Sequence, residues 1–138
     1  MTFVLDNSVA LTWCFEDERT AVTTALLEQV GESGAWAPMI WPLEALNGLL
    51  VAERRGRLDA LRRQRLASLL RALPIKLDDE TASQAWTETV FLAERFSLSS
   101  YDAAYLELAQ RRRLPLASLD QDLRAAATAL GIAVLGAE

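Results

Sequence analysis

The sequence offers carboxylates, hydroxyls and arginines for chemistry, and few other reactive groups. Its 138 residues contain no histidine and a single cysteine, Cys14. These absences exclude Ser-His-Asp and Cys-His nucleophile systems, zinc sites that need a histidine ligand, an internal disulfide and a metal cage made of cysteines alone. None of the six glycines lies in a GxGxxG or GxxxxGK(S/T) pattern, which disfavours nucleotide-binding loops.

Four acids lie where predicted segments of the chain begin or end. Asp6 and Asp120 directly follow apolar runs, while Glu44 and Asp102 fall in the first turns of predicted helices. Two carboxylates about 4 Å apart repel by about 4 kcal/mol at an effective dielectric constant of 20, so a cluster of them must protonate, spread apart or hold a cation. Oxygen ligands select hard ions such as Mg²⁺ or Mn²⁺, which support phosphodiester hydrolysis.

Short apolar segments alternate with helical segments along the whole chain. Strands are predicted at 2–5, 35–40, 74–77, 114–119 and 132–135. Helices are predicted at about 8–15, 17–30, 43–55, 59–72, 81–96, 100–113 and 120–130. This alternation predicts a single α/β domain over residues 1–138, with a mainly parallel sheet of about five strands covered by helices on both faces.

This topology brings the four acids to one edge of the sheet. Ligands of parallel α/β sheets bind beyond the carboxyl ends of the strands, where Asp6, Glu44 and Asp120 are expected. The helix that begins near Asp102 leads into a parallel strand, runs antiparallel to it and so starts at the same edge. Each acid also has a structural explanation, because acids cap helices or complement their dipoles, and Asp6 could cap a helix that begins at Ser8.

Four segments around the acids are spread along nearly the whole chain: FVLDNSVALTW (3–13), WPLEALNGLL (41–50), LSSYDAAYLELAQRR (98–112) and PLASLDQDLRAAATALGIAVL (115–135). In this order they resemble the PIN domain, and specifically the VapC-type toxins of toxin–antitoxin pairs. The resemblance implies a PIN-like α/β/α sandwich and a metal-dependent endoribonuclease that hydrolyses RNA phosphodiester bonds. It also assigns the family's catalytic and metal-binding positions to the same four acids, Asp6, Glu44, Asp102 and Asp120.

The resemblance suggests a role for each of these acids. Asp6, Asp102 and Asp120 are expected to be the principal ligands of Mg²⁺ (or Mn²⁺), directly or through water. Glu44 is expected to hold the metal or to orient the attacking water. An in-line attack would leave a 5′-phosphate and a 3′-hydroxyl without using the RNA 2′-hydroxyl, which fits a site that has no histidine.

Other positions match the family's motifs around the acids. Ser8 and Ser118 occupy the usual Ser/Thr positions and are expected to orient ligands or water. Asn47, one turn after Glu44, matches a common asparagine. Asp122 is an extra acid that could bind a second metal ion, although a solvent-facing position in the first helical turn is favoured. Family members commonly form homodimers, are inhibited by a cognate antitoxin and cut structured RNA such as transfer RNA.

The charges are unevenly distributed along the chain. The net charge is −5, yet residues 53–71 carry seven arginines against two acids. Arg54, Arg55, Arg57 and Arg62 are candidate contacts for RNA or for an antitoxin, because phosphate contacts supply most non-specific affinity for nucleic acids. The alternative is the solvated face of two helices, and the sequence leaves both open.

Aromatic residues add one more open question. Base stacking is the functional alternative for all four tryptophans, Trp13, Trp36, Trp41 and Trp86, and Trp13 and Trp41 lie close in sequence to acids of the predicted site. Packing in the core or at an interface is favoured. Cys14 is expected to be a small buried apolar residue.

Two other classes of function fit less well than a nuclease: an acid-pocket phosphatase or phosphotransfer domain, and a non-catalytic binding or assembly module. A phosphatase of the haloacid dehalogenase type needs a second aspartate where Ser8 stands. A response-regulator receiver needs a lysine at the end of a late strand, and no lysine follows Lys76 in this sequence. A non-catalytic PIN-like binding or assembly module is disfavoured by the complete set of acids.

No signal peptide or membrane span is predicted, so we expect a cytoplasmic protein.

Overall fold

A five-stranded parallel sheet forms the centre of the computed structural model, which describes residues 1–137. The strands are β1 (Val4–Leu5), β2 (Ala35–Pro38), β3 (Ile75–Asp78), β4 (Leu116–Ala117) and β5 (Val134–Leu135). Their order is β3-β2-β1-β4-β5 and every pairing is parallel. Because β1 is central, the loops after β2 and β4 lie on either side of the loop after β1. The predicted parallel sheet is confirmed.

Helices flank this sheet, which confirms the predicted α/β/α architecture. They are α1 (Asn7–Thr12), α2 (Ala21–Ser33), α3 (Trp41–Arg54), α4 (Ala60–Ala72), α5 (Thr81–Gln84), α6 (Val90–Phe96), α7 (Ser100–Arg112) and α8 (Gln121–Ala129).

Helix α2 begins later than the sequence predicts. A helix over 17–30 is expected, but Glu16–Glu18 forms a short 3₁₀ turn and α2 starts at Ala21. The physical reason is a capping box, in which the Thr20 side chain accepts a hydrogen bond from the Thr23 N–H while the Thr23 side chain accepts one from the Thr20 N–H. This reciprocal pair satisfies free donors of the first turn and fixes the start of the helix.

The predicted long helix over 81–96 is also modified. Helices α5 and α6 are joined by a π turn at Ala85–Thr89, so the helical run continues but its side chains do not follow a single 3.6-residue period. Thr89 and Leu92 point to the interior, whereas Trp86 is exposed.

Helix α7 runs through the middle of the molecule and begins at the site edge. Every residue from 103 to 109 is buried, and the helix packs on β1, β2 and β4. Its small residues Ala103, Ala104 and Ala109 allow a close approach to the sheet. The first turn of α7 therefore holds Asp102 rigidly at the carboxyl ends of the strands. None of the helices in residues 1–137 combines the length and the hydropathy that a membrane span requires.

Candidate active site

Asp6 lies at the end of the central strand and is only 5% exposed. Its side chain does not cap α1, so the alternative explanation as a helix cap is not realised. Instead its Oδ2 atom accepts hydrogen bonds from the hydroxyls of Ser8 (2.6 Å) and Ser118 (2.8 Å). Burial raises the pKa of the Asp6 carboxyl, and these two hydrogen bonds act against that rise. The two hydroxyls thus offset part of the cost of burying an ionised carboxylate at this position.

The two serines also join the loops that follow β1 and β4. The Leu119 N–H donates to the Ser8 hydroxyl at 2.9 Å, and the Asp120 N–H donates to the Ser118 hydroxyl at 3.1 Å. Each hydroxyl therefore accepts a hydrogen bond from an N–H of the loop after β4 while it donates one to the Asp6 carboxylate. This network positions Asp6 and the backbone at Asp120 relative to each other, and the role of the serines in orienting a ligand or water stays a prediction.

Glu44 lies in the first turn of α3 and is held by residues that the sequence did not indicate. The buried hydroxyl of Tyr105 donates to Glu44 Oε1 at 2.6 Å, and the Asn7 side-chain amide donates to the Glu44 backbone carbonyl at 3.2 Å. Burial raises the pKa of Glu44, the hydrogen bond from Tyr105 lowers it, and repulsion from Asp6 raises it. Tyr105 lies three residues after Asp102 on α7, so a shared helical face was the available signal.

Asp102 is the least compensated acid of the site. The Ser99 hydroxyl, rather than Asp102, caps α7 by accepting the Asp102 N–H at 3.1 Å. Within residues 1–137 no group donates a hydrogen bond to the Asp102 carboxylate. Its pKa is raised to about 6, first by burial and then by repulsion from Asp6, Asp120, Glu44 and Asp122, in that order. The four predicted acids therefore act on one another electrostatically.

Asp120 does cap its helix, as the structural alternative expects. Its Oδ1 atom accepts the Leu123 N–H at 2.8 Å at the start of α8. The Asp120 Oδ2 atom accepts no hydrogen bond within residues 1–137, so capping leaves one oxygen for another ligand. Asp122 is exposed in the first turn of the same helix, and its contribution to the pKa of Asp102 puts it on the same side of the site.

The four predicted acids lie near enough to one another to interact but do not form a tight cluster within residues 1–137. Within residues 1–137, only Asp78, Asp79 and Glu80 bring three acidic oxygens within 4.8 Å of one another. Among the described residues, no three of the four predicted acids meet this limit, and Asp6, Glu44 and Asp120 each accept a hydrogen bond from a donor of their own. The donor set of carboxylates and hydroxyls fits a hard divalent cation, which prefers oxygen ligands and keeps several of its waters.

The tighter acidic cluster at the end of β3 already has a cation. The Arg111 guanidinium contacts the carboxylates of Asp78 (2.5 Å), Glu80 (3.0 Å) and Glu107 (2.7 Å). Asp78 and Glu107 are 1% and 3% exposed, so the pairing neutralises charge in the interior. This cluster joins α7 to the sheet, a role that the sequence did not assign to Arg111.

The remaining predicted site residues lie at the surface. Asn47 is exposed on α3 and makes no hydrogen bond to the acids within residues 1–137. Arg54, Arg55 and Arg62 are exposed as well, without salt bridges in the described part of the chain. Arg57 differs, because it pairs with Asp17 and Glu18 and lies over the Phe15 ring.

The two tryptophans near the acids are part of the core. Trp13 and Trp41 are 6% and 5% exposed, and the Trp13 indole N–H donates to the Thr23 carbonyl at 2.7 Å. The favoured prediction of packing is therefore confirmed for these two residues, and base stacking by them is not supported. Trp36 is partly buried. Trp86 is 86% exposed, so the prediction of core packing is wrong for this residue and packing at an interface stays a prediction. Cys14 is buried as predicted, and burial raises the pKa of its thiol to about 11.

Comparison with solved structures shows that other proteins share this fold. The chain is similar to PAE2754 from Pyrobaculum aerophilum, with a TM-score of 0.71, 19% sequence identity and coverage of 97% of this chain and 83% of that one. It is also similar to FitAcB from Neisseria gonorrhoeae, with a TM-score of 0.68, 17% identity and coverage of 99% and 97%. At such identities the likeness concerns the fold alone.

Comparison with protein families gives the assignment. No curated protein sequence matches this chain significantly. The family model of the PIN domain matches residues 3–129, which include all four predicted acids. PIN domains are typically nucleases. The chain belongs to the PIN domain family.

Proposed function

We propose that this protein is an Mg²⁺- or Mn²⁺-dependent endoribonuclease of the VapC type, the toxin of a toxin–antitoxin pair. Residues 1–138 would form a single nuclease domain acting in the cytoplasm as a homodimer. The observation that carries the proposal is the environment of Asp102. Its carboxylate is half-buried, accepts no hydrogen bond within residues 1–137, and is repelled by four other acids. A divalent cation would relieve this repulsion, whereas no side chain in the described part of the chain does so.

The roles of the residues follow from their partners. Asp6, Asp102 and Asp120 would hold the cation directly or through water, and Ser8 and Ser118 would keep Asp6 oriented through its Oδ2 atom. When bound, the cation would lower the pKa of water and neutralise a phosphoryl oxygen.

Glu44 has one oxygen committed to Tyr105 and one available for the attacking water. The hydrogen bond from Tyr105 to Oε1 fixes the carboxylate, so Oε2 would accept a hydrogen bond from the water and orient it towards the phosphorus atom. In-line attack would leave a 5′-phosphate and a 3′-hydroxyl. The RNA 2′-hydroxyl would take no part as nucleophile.

The arginines of the α3–α4 region would assist binding of an anionic partner. Arg54, Arg55 and Arg62 are exposed and free of salt bridges within residues 1–137, so they are suited to RNA phosphates or to the acidic segment of an antitoxin. Arg57 would contribute less, because its guanidinium is engaged by Asp17 and Glu18.

The proposal is tested by incubating end-labelled total RNA, including transfer RNA, with the purified chain and Mg²⁺ or Mn²⁺. We expect cutting that is abolished by EDTA and by Asp6→Asn, with 5′-phosphate ends on the products. Asp79→Asn is the matched control, because Asp79 is an exposed acid of the cluster that Arg111 neutralises. Cutting that survives Asp6→Asn, or no metal-dependent cutting at all, would contradict the proposal.

A further inference from the structure

Two cations lie over the ring of Trp36, the second residue of β2. The guanidinium carbon of Arg112 is 3.6 Å from the Trp36 ring centroid, and the ammonium nitrogen of Lys76 is 5.5 Å from it. Both cations are exposed, whereas Trp36 is partly buried. The faces of aromatic rings attract cations, so the indole holds two positive charges close together at the surface. We call these three residues the basic platform.

The sheet and α7 place the basic platform away from the four acids. Trp36 and Lys76 are partners in the parallel register of β2 and β3, so their side chains lie side by side on one face of the sheet. Arg112 is the last residue of α7, which packs on β2. Because Arg112 follows Asp102 by ten residues, the helical rise separates them by about 15 Å along the helix axis. The basic platform is therefore a second surface and not an extension of the acidic site.

The charges of Arg112 and Lys76 are not neutralised by a salt bridge within residues 1–137. The acidic cluster at the end of β3 contacts the neighbouring Arg111 instead. Stacking uses the flat face of the Arg112 guanidinium and leaves the N–H groups at its edge free to donate hydrogen bonds. A guanidinium fork that is already held in place loses less side-chain freedom when it binds an anion.

An open groove of about 520 Å³ adjoins the basic platform. Trp36 and Lys76 line it together with residues 31–35 and 73–75, and Glu32 is the one acid among the described residues that line it. Grooves of this volume hold a group the size of a small molecule. One nucleotide of a longer chain therefore fits beside the two cations.

Nucleic-acid phosphates match this arrangement better than the carboxylates of an acidic protein segment. A nucleic-acid strand carries a negative charge about every 3.4 Å, and two cations over a single ring suit such closely spaced charges. The exposed Arg113 directly follows Arg112 and adds to the positive charge. Since the whole chain carries a net charge of −5, RNA must approach it through local positive surfaces. A folded RNA more than about 15 Å across can contact both the four acids and the basic platform.

We propose that the basic platform binds phosphates of the substrate RNA, about 15 Å from the acids along α7. The identity of the ligand rests on the proposed function, whereas the surface itself is separate from the acids and from the arginines of the α3–α4 region.

Binding of fluorescein-labelled transfer RNA in EDTA tests the proposal, because EDTA prevents metal-dependent cutting. Fluorescence anisotropy gives the affinity of the full chain over a range of KCl concentrations. Each lost phosphate contact should reduce the slope of log K against log salt by about 0.7–0.9 and weaken binding about five- to eightfold at about 0.1 M salt. We expect this result for Lys76→Gln and for Arg112→Gln, and we expect Arg112→Lys, which keeps the charge, to retain the parent slope.

Arg95→Gln is the matched control. Arg95 is exposed, and its guanidinium carbon is 4.9 Å from the Phe96 ring centroid, so this variant loses the same charge and the same kind of contact outside the basic platform. We expect its slope to equal that of the parent chain. Circular dichroism verifies that each variant is folded.

Three results would overturn the proposal: no binding of transfer RNA by the parent chain, equal slopes in the parent and both glutamine variants, or the same fall in slope for Arg95→Gln. Loss of poly-L-glutamate binding in the two variants at an unchanged RNA slope would also overturn it and assign the basic platform to an acidic protein segment. Cutting with Mg²⁺ is measured on the same samples. Cutting with equal slopes refutes only the basic platform, and platform-dependent binding without cutting refutes only the nuclease.

Discussion

Replacement of Asp102 by asparagine should stabilise the metal-free protein near neutral pH. The pKa of Asp102 is raised from its ordinary value of 3.8 to about 6, so the folded state favours the protonated carboxyl. The stability that this group contributes is therefore fully present below about pH 4 and is lost as the pH rises through 6. An asparagine side chain at this position would have the shape of the protonated acid without a charge to repel its neighbours.

The size of the effect follows from the shift and from the exposure of the side chain. A rise from 3.8 to about 6 corresponds to about 3 kcal/mol if it is transmitted in full. Because Asp102 is only half-buried, solvent screening reduces this to about 1–2 kcal/mol. Asp102→Asn should raise the free energy of unfolding by that amount at pH 7–8 and by almost nothing at pH 4.

Urea denaturation in EDTA at pH values from 4 to 8 measures this difference. The exposed acid Asp79 provides the control, since Asp79→Asn removes the same charge away from the four acids. A flat difference between parent and Asp102→Asn across the pH range, or a loss of stability in the variant at pH 7, would show that the acids around Asp102 do not repel it as described.

Three further substitutions test other contacts of the fold and the site. Arg111→Met should lower the free energy of unfolding by about 3–5 kcal/mol, because it leaves buried Asp78 unpaired, and adding Asp78→Asn should recover part of this loss in urea titrations. Ser118→Ala removes a hydrogen bond to the carboxylate at the end of β1 and should cost about 1.5–3 kcal/mol in the same assay; an unchanged midpoint would argue against that contact. Tyr105→Phe removes the donor that lowers the pKa of Glu44, so the acid limb of the kcat/KM profile should move to higher pH, whereas an unmoved limb would mean that Glu44 does not titrate in the reaction.

The alternation of strands and helices predicts both the parallel sheet and the placement of the four acids at one edge of it. Strand ends in a parallel sheet share an edge, so Asp6, Glu44 and Asp120 could be brought together from topology alone, and the direction of α7 added Asp102. What topology cannot supply is the fine position of each side chain. Asp6, Glu44 and Asp120 each accept a hydrogen bond from a local donor, and Asp102 accepts none within residues 1–137.

The features that the sequence did not predict depend on contacts between distant segments. From the sequence, Tyr105 is an ordinary core residue of α7. Its hydroxyl meets Glu44 only because α7 and the start of α3 lie side by side in the folded chain. The ion pairs of Arg111 likewise need the crossing of α7 over the end of β3. Trp86 shows the converse, because a tryptophan is expected to pack in the core or at an interface, whereas this one is 86% exposed.

Calorimetric titration with Mn²⁺ tests the central claim most directly, since it asks which acids hold the cation. We predict that the parent chain and Asp79→Asn bind Mn²⁺ with equal affinity, and that Asp6→Asn and Asp102→Asn lose binding while they remain folded. Loss of binding in Asp79→Asn with retention in Asp102→Asn would place the metal at the end of β3 and contradict the account.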